Sequence, residues 1–528
     1  MPDSTVRPLL RTVALRALEA RALAATADGE LMGRAAAAIA RAAARMLRAM
    51  PAGTPVLALA GPGNNGGDAL LAALALAAKG HAVRAIALRP DPPRAPDARR
   101  AWHRWRDAGL PIAAPDALDA LLDDAPLVVD GLFGIGLDRP LPEAAAEIAI
   151  RLARRDATVL AVDVPSGLDA DTGALVGGAD AVAVRAARTV TMIADKPGLR
   201  TGAGPAHAGV VEVADLGLAG AGFAIAPDGP GDGGAPACTG VLVDAAAVRG
   251  LLAPRAADAH KGRFGDVLVV RGAPAMRGAA TLALLGAQAV GAGRLHLGVD
   301  DDGGGDPMRP EAMTRRIDPA SADPERALGP ATAVVVGCGL GTGEAAAAKL
   351  AAAIAHPAAL VIDADGLNAI AADPSRRTAL VARSRAGRPT VLTPHPLEAA
   401  RLLGCGTGDV QRDRIVAAHR LATATGTCVV LKGAGTVVAL PDGRWTVNAS
   451  GGPILSVAGT GDVLAGVVAG LLAAGLAPFV AAVLGAWLHG AAADALAAAD
   501  DRAAGIGLAA PELAAAIRAT ANRLAAGR

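Results

Sequence analysis

The sequence predicts an α/β protein with largely parallel sheets, divided into two domains. Two observations carry the fold class. Short apolar segments such as "TPVLALA" (residues 54–60), "APLVVDGLFG" (125–134) and "TAVVVGCG" (332–339) alternate with long alanine-rich stretches. That is the pattern of strands buried on both faces with helices packed over them. Several of these segments also run into Asp- or Gly-rich turns, where open α/β sheets bind ligands. The division rests on length: 528 residues exceed one domain at about 100–200 residues each. The stretch "FAIAPDGPGDGGAPACTG" (223–240) is rich in Gly and Pro and reads as a linker. The expected organisation is a domain at 1–224, a linker at 225–240 and a domain at 241–528.

In the first domain a helical pattern runs to about Met50. A strand at 54–60 follows, then "GPGNNGGD" (61–68) as a turn, and "ALLAALALAAKG" as a helix closed by Gly80. "AVRAIAL", "APLVVDGLFG", "TVLAVDVPSG", "AARTVTMIA" and "GVVEVADLG" read as further strands. In the second domain the strands are "DVLVVRG", "RLHLGV", "TAVVVGCG", "ALVIDADG", "PTVLTPH" and "CVVLKGAGTVVAL". No short-period repeat is present. "DPPRAPDARR" near Asp91 and "DDGGGD" near Asp301 read as surface loops.

Composition narrows the function classes. Charge is balanced, with 51 basic and 50 acidic residues, so neither nucleic acid nor an anionic membrane is called for. Aromatics are 2% of the chain and Tyr is absent; the core must be close-packed Ala, Leu and Val. Lysine is confined to Lys79, Lys196, Lys261, Lys349 and Lys432, which makes each one a position to inspect. Cys238, Cys338, Cys405 and Cys428 are dispersed without metal-binding spacing, as expected of reduced thiols in a cytoplasmic protein. The N-terminus does not read as a signal peptide. Residues 463–488 carry no charge over 26 residues. "AGLAP" at 474–478 breaks that run into halves of about 11–14 residues, the length of core helices rather than of a membrane span.

Three strand ends of the first domain carry polar side chains. "GPGNNGGD" would bring backbone amides to an anion at a helix N-terminus, though it matches neither GxGxxG nor a Walker A loop. Asp130 ends one strand, in "VVDGLFGIGLDRP" (128–140), and Asp163 another, in "AVDVPSGLDADTG" (161–173), with Ser166 just beyond. A single strand-end Asp is often only a loop cap; three polar ends together point to one site. In the second domain, "VVVGCGLG" (334–341), "TVLTPHPLEAARLLG" with His395, "VVLKGAGTVVALPDG" with Lys432 and Thr436, and "SVAGTGDVLAGVVAGLLAAG" with Asp462 form another set. Gly459 and Gly461 free backbone N–H groups at a helix start. With the helix dipole they can stabilise a transferring phosphoryl group. Asp462 then sits where it can take a proton from an attacking hydroxyl. The plainer alternatives are a helix cap for Asp462, a satisfied strand-end histidine for His395 and a surface-turn lysine for Lys432.

"GPGNNGGD", "VVDGLFGIGL", "VDVPSGLDADTG" and "TVTMIADKPGL" resemble the motifs of NAD(P)H-hydrate epimerase domains, over about residues 10–220. That resemblance implies a Rossmann-like three-layer sandwich. It implies that Asn64, Asn65, Gly66, Gly67 and Asp68, with Gly134, Ile135, Gly136, Leu137, Asp138, Arg139 and Pro140, hold the hydrated nucleotide. Asn65, Asp130 and Ser166 would coordinate potassium, Asp163 would contact substrate as acid/base, and Lys196 would be its weaker partner. "HKGRFGDVLVV", "MRGAATLA", "VVGCGLG", "DADGLNAI", "LTPHPLEAARLLG", "VVLKGAGTVVA" and "AGTGDVLAG" resemble the ADP/ATP-dependent NAD(P)H-hydrate dehydratases, over about residues 240–525. This implies a ribokinase-like α/β domain in which Ala279, Gly339 and His395 bind the hydrated nucleotide. Lys432, Gly433, Ala434, Gly435, Thr436 and Gly461 would hold ADP or ATP with Mg²⁺, and Asp462 would be the base. The bacterial-style fusion of both domains implies ADP. The family usually has Pro where Cys338 stands; Cys restores an N–H and relaxes φ, and raises the question of oxidant sensitivity.

The function expected is two-step repair of NADHX and NADPHX: epimerisation of the R and S forms, then dehydration of the S form through a phosphorylated intermediate. The rival is a ribokinase-like sugar or vitamin kinase with an N-terminal nucleotide sensor. Alanine-rich helical surfaces are compatible with a homo-oligomer.

Overall fold

A computed structural model describes residues 7–218, 238–300, 310–499 and 505–527. They fall into two compact units, one within residues 8–218 and one from Val241 onward.

The first unit is built on strands β1 (Val56–Ala60), β2 (Val83–Ala87), β3 (Ile112–Ala113), β4 (Leu127–Gly131), β5 (Val159–Val162), β6 (Arg188–Met192) and β7 (Val210–Ala214). The sheet order is β3-β2-β1-β4-β5-β6-β7, with every pairing parallel. β1 and β4 are buried throughout, as continuous apolar runs require. Alternation along β1 divides the core into two. Val56, Ala58 and Ala60 face the helices Glu30–Leu47 and Asn64–Ala77 with Trp102 and Trp105. Leu57 and Leu59 face Leu118, Leu122, Ile148 and Leu152. Helix, sheet and helix thus make three layers. The strand order reverses between β1 and β4, which opens a crevice at their carboxyl ends.

From Thr239 onward the strands are β8 (Thr239–Val243), β9 (Asp266–Val270), β10 (Arg294–Val299), β11 (Met313–Arg316), β12 (Ala333–Val336), β13 (Ala359–Ile362), β14 (Thr390–Leu392), β15 (Cys428–Leu431), β16 (Val437–Ala439) and β17 (Trp445–Asn448). They run in the order β8-β17-β16-β15-β14-β13-β12-β9-β10-β11. Among these described strands, only β16 is antiparallel to its neighbours. The helices Arg277–Ala289, Thr460–Ala473, Pro478–Ala499 and Ala510–Ala525 bury one face with Val267, Val269, Val335, Val361 and Val430.

Several sequence expectations shift. The helix after β1 begins at Asn64, so Asn64 to Asp68 form its first turns and only residues 61–63 are turn. "PDARR" opens the helix Pro96–Asp107 instead of lying in a loop. The opening helical pattern divides into a strand, Arg7–Leu10, and two helices, Thr12–Ala25 and Glu30–Leu47. Most of the expected linker, and residues 301–306 near Asp301, lie outside the described residues. Thr239 and Gly240, expected in the linker, open β8. The uncharged run breaks between Ala473 and Pro478, as "AGLAP" predicts. Its second helix is 22 residues rather than 11–14 because it continues through Asp494. By length and hydropathy that helix could cross a membrane, yet 56% of its most apolar window is buried within the fold.

Candidate functional site

Each unit gathers polar groups at the carboxyl ends of its central strands. In the first, close backbone approach shapes the crevice. A Cβ on Gly61 would lie 1.7 Å from the Leu132 carbonyl oxygen, and one on Gly134 would lie 2.5 Å from Asn65 Nδ2. The loops after β1 and β4 are therefore pressed together, and glycine is the side chain that permits it. Asn65 Nδ2 donates to the Val162 carbonyl at 2.9 Å, tying this helix start to the end of β5.

Asp130 is fully buried at the end of β4. Ser166 Oγ donates to its Oδ1 at 2.7 Å and Ser166 N to its Oδ2 at 2.9 Å, while Leu132 N donates at 3.2 Å. These donors are neutral. Burial raises the Asp130 pKa, against the pull of the Ser166 and Leu132 hydrogen bonds. Asp163, just past β5, has φ 68°, a left-handed conformation that Asp tolerates better than most residues. Its Oδ1 accepts from Met192 N at 3.0 Å and lies 2.7 Å from Lys196 Nζ. Lys196 is fully buried and also donates to Thr191 Oγ1 at 2.6 Å and to the Met192 carbonyl at 3.1 Å. Asp68 is buried on the first turns of its helix, and burial, then Asp163 and Glu19, push its pKa well up. Glu19 lies outside the motifs named above. It stands on the helix Thr12–Ala25, its pKa raised by burial and by Asp163.

Thus Asn65 and Gly134 touch, Asp130 and Ser166 bond, and Asp163 and Lys196 pair beside Asp68. Asp138 and Arg139 do not join them: their side chains are 89% and 85% exposed. Gly136 and Pro140 are exposed as well, Ile135 and Leu137 half-buried.

In the second unit four consecutive parallel strands, β12 to β15, deliver the site. Gly337, Cys338 and Gly339 follow β12, Asp363 follows β13, His395 lies three residues beyond β14, and Lys432 follows β15. Lys432 Nζ lies 2.7 Å from Asp363 Oδ1, so Lys432 is no surface-turn lysine. Burial would lower its pKa, but Asp363 and Glu398 outweigh burial and raise it. A Cβ on Gly461 would come within 3.3 Å of Lys432 Nζ, which places the start of the helix Thr460–Ala473 against this ion pair. Asp462 lies in that first turn. Burial, then Asp363, push its carboxyl up to about 6, with the Cys338 thiol and Lys432 pulling the other way. Ligand atoms of Cys338, Asp363 and Asp462 lie within 4.8 Å of one another.

His395 caps the helix Pro396–Leu403: its Nδ1 accepts from Leu397 N at 3.1 Å and Glu398 N at 3.4 Å. That leaves the ring proton on Nε2, 3.2 Å from Glu398 Oε1. Burial raises Glu398 to about 7. His395 is therefore a satisfied cap, and its ring is still 46% exposed and can meet a ligand. Ala279 neighbours Gly339, whose Cβ would fall 3.1 Å from that of Ala279. Gly433 and Gly435 have φ 140° and 61°, and Thr436 Oγ1 donates to the Gly433 carbonyl at 3.2 Å. Gly433 and Ala434 are exposed. Below this turn Arg414, 1% exposed, donates from Nη2 to the Leu431 and Lys432 carbonyls, each at 3.1 Å. Asp363, Glu398 and Arg414 carry no role in the sequence motifs named above. Asp363 meets the same strand-end criterion that singled out Asp130 and Asp163.

Known proteins match each unit separately. Residues 267–518 match the family described as NAD(P)H-hydrate dehydratase, and residues 28–198 match the YjeF-related protein N-terminus. The bifunctional NAD(P)H-hydrate repair enzyme of Moorella thermoacetica is 37% identical over 460 residues, covering 83% of this chain and 82% of that protein. The enzyme of the same name from Escherichia coli is 35% identical over 454 residues, covering 84% and 81%. A crystal structure of the Bacillus subtilis ADP/ATP-dependent NAD(P)H-hydrate dehydratase, with ATP/Mg²⁺, is 29% identical. It covers 53% of this chain and 97% of that one, with a TM-score of 0.45. This chain belongs to the bifunctional NAD(P)H-hydrate repair enzymes, with an epimerase and a dehydratase in one polypeptide.

Proposed function

We propose that residues 1–224 interconvert the R and S epimers of NADHX and NADPHX at the Asp163–Lys196 site. Residues 241–528 then dehydrate the S epimer at the Asp462 site, consuming ADP or ATP. The single observation that carries the second assignment is Asp462. It is a half-buried carboxylate raised to about 6, at a helix start where glycines bare backbone amides, beside the Lys432–Asp363 pair. Such a group is poised near the operating pH to accept a proton. In this reading Asp462 takes the proton of the ring hydroxyl as its oxygen attacks the terminal phosphorus of the nucleotide. The nucleotide's bridging oxygen leaves with the P–O bond electrons. The amides at Gly459–Gly461 and Lys432 hold the phosphoryl charge, and Gly433 to Thr436 border the nucleotide. Mg²⁺ enters with the nucleotide as part of that substrate. Phosphate then departs from the ring as a proton is lost from the neighbouring carbon, which restores the double bond.

In the first unit Asp163 is the acid/base and Lys196, paired with it at 2.7 Å, holds it in place. The hydrated nucleotide lies against Asn64–Asp68 and the loop from Gly134. Potassium would be held beside Asp130, a fully buried carboxylate whose hydrogen-bond donors are neutral, with Ser166 and Asn65 as further oxygen ligands. Oxygen donors of this kind suit hard cations. Bound there, potassium would neutralise Asp130 and fix the loop after β4.

The test is recovery of reduced-nicotinamide absorbance from mixed-epimer NADHX with ADP/Mg²⁺, with ATP/Mg²⁺ or with neither. Full nucleotide-dependent recovery supports both assignments. Recovery that stalls when one epimer is spent removes the epimerase assignment. A stable phosphorylated product would favour the small-molecule kinase instead.

A further inference from the structure

Cys338 sits in a turn held from both sides. Gly337 and Gly339 have φ 116° and 59°. A Cβ on Gly337 would fall 1.9 Å from the Asp363 carbonyl oxygen, and one on Gly339 would fall 2.8 Å from Met276 Cβ. The Cys338 side chain is 1% exposed, and its sulfur lies within 4.8 Å of the carboxylate oxygens of both Asp363 and Asp462. The two carboxylates are not equivalent partners. Asp363 already holds the Lys432 ammonium at 2.7 Å. Asp462 faces the charges of Asp363 and Asp365, which disfavour its ionised form, and that of Lys432, which favours it. Glu398 and His395 face Lys432 and Asp363 from the next helix start. Burial, then Asp363 and Asp462, push the thiol well above its usual range. It is therefore a protonated S–H, able to donate and inert as a nucleophile.

We propose that Cys338 is a positioning residue of the dehydratase, its buried thiol donating a hydrogen bond to Asp462 and aiming that carboxylate at the substrate hydroxyl. The inference rests on Asp462 being the base. A buried cysteine that only filled space would behave as a small apolar side chain, and the test separates the two roles.

The experiment is the pH profile of kcat for the full chain on S-NADHX with ADP/Mg²⁺, for wild type, Cys338→Ala, Cys338→Ser and Asp462→Asn. Loss of the donor in Cys338→Ala should move the acidic limb up by about half to one unit. At pH 6 kcat falls about 2–5-fold, with little change at pH 8. Cys338→Ser keeps a donor and should restore the wild-type limb. An unshifted limb in Cys338→Ala overturns the proposal, as does an equal shift in Cys338→Ser. Activity retained by Asp462→Asn overturns instead the assignment of the base. Should the Cys338 variants fail to fold, the S–H stretching band gives an independent answer. It should move to higher frequency in Asp462→Ala, and an unmoved band overturns the proposal.

Discussion

Replacing Asp462 by Asn should stabilise the protein while removing dehydratase activity. The carboxyl is raised from an ordinary 3.8 to about 6, with burial as the largest cause and Asp363 second. Between those values the folded chain binds more protons at this group than the unfolded chain does, so stability falls as pH rises through the window. Below about pH 4 the group is protonated in both states and imposes no penalty. Above about pH 6 the full cost applies. Two units correspond to roughly 3 kcal/mol at most, and solvent contact at this half-buried site brings the expected figure to about 1–2 kcal/mol. Asn removes the charge at nearly the same shape. Urea unfolding at pH 7 should therefore show Asp462→Asn more stable than wild type, and the gap should close as pH approaches 4. The same substitution should cut kcat by about 10²–10⁴-fold, the usual loss for a general base. Wild-type kcat should rise with pH through about 6, reaching only about a tenth of its plateau at pH 5. A variant destabilised equally at both pH values, or one keeping more than a tenth of wild-type turnover, would refute the reasoning.

Three further outcomes are expected. Lys196→Met strands Asp163 as a buried charge without its ammonium, at a cost of about 3–5 kcal/mol. Epimer exchange followed by chromatography should stop while dehydration of pure S-NADHX continues. Asp130→Asn should abolish the stabilisation of the first unit by KCl relative to tetramethylammonium chloride in thermal melts, because the buried negative charge that would attract potassium is gone. Arg414→Met removes the donors to the Leu431 and Lys432 carbonyls and loosens the turn after β15. At about 1.5–3 kcal/mol for charged hydrogen bonds, initial-rate kinetics should show KM for the nucleotide raised at least tenfold and epimerisation unchanged.

Much of the fold was legible because its central strands are unbroken apolar runs with strong punctuation. "TPVLALA", "APLVVDGLFG" and "TAVVVGCG" contain β1, β4 and β12. The missed strands lack that signal. β11 is "MTRR", a largely exposed edge; β8 begins within the Gly/Pro-rich stretch; β17 carries the polar pair Thr446 and Asn448. At the sites, a strand-end carboxylate was the readable feature. Applied evenly, it would have added Asp363 to Asp130 and Asp163. Glu398 could not be read this way: a Glu three residues after a helix cap reads as a capping box, and it is one. Only folding shows that it is also buried beside Lys432. Arg414 was silent for a similar reason, since helix position alone does not reveal which carbonyls its guanidinium reaches.

The alanine and glycine excess bears on how the proposed base is placed. The helix carrying Asp462 packs against Arg277–Ala289 with backbones in contact: a Cβ on Gly466 would lie 1.8 Å from the Ala283 carbonyl oxygen, and one on Gly286 2.0 Å from the Val463 carbonyl oxygen. Larger residues would keep these helices apart. Gly466 lies one helical turn beyond Asp462, so the close approach fixes the carboxylate's distance from Lys432 and Asp363. Gly466→Ala must open the contact by about 1–2 Å to reach ordinary packing distance. A misplacement of about 1 Å at reacting groups can cost on the order of 10²-fold in rate. The expected result is a kcat for dehydration lowered by that order and epimerisation unaffected, alongside a lower Tm from the lost packing. The loss of rate should persist well below the Tm, where the variant is fully folded. Normal turnover in a folded Gly466→Ala protein would show that the helix contact supports stability alone and that Asp462 is aimed by other groups.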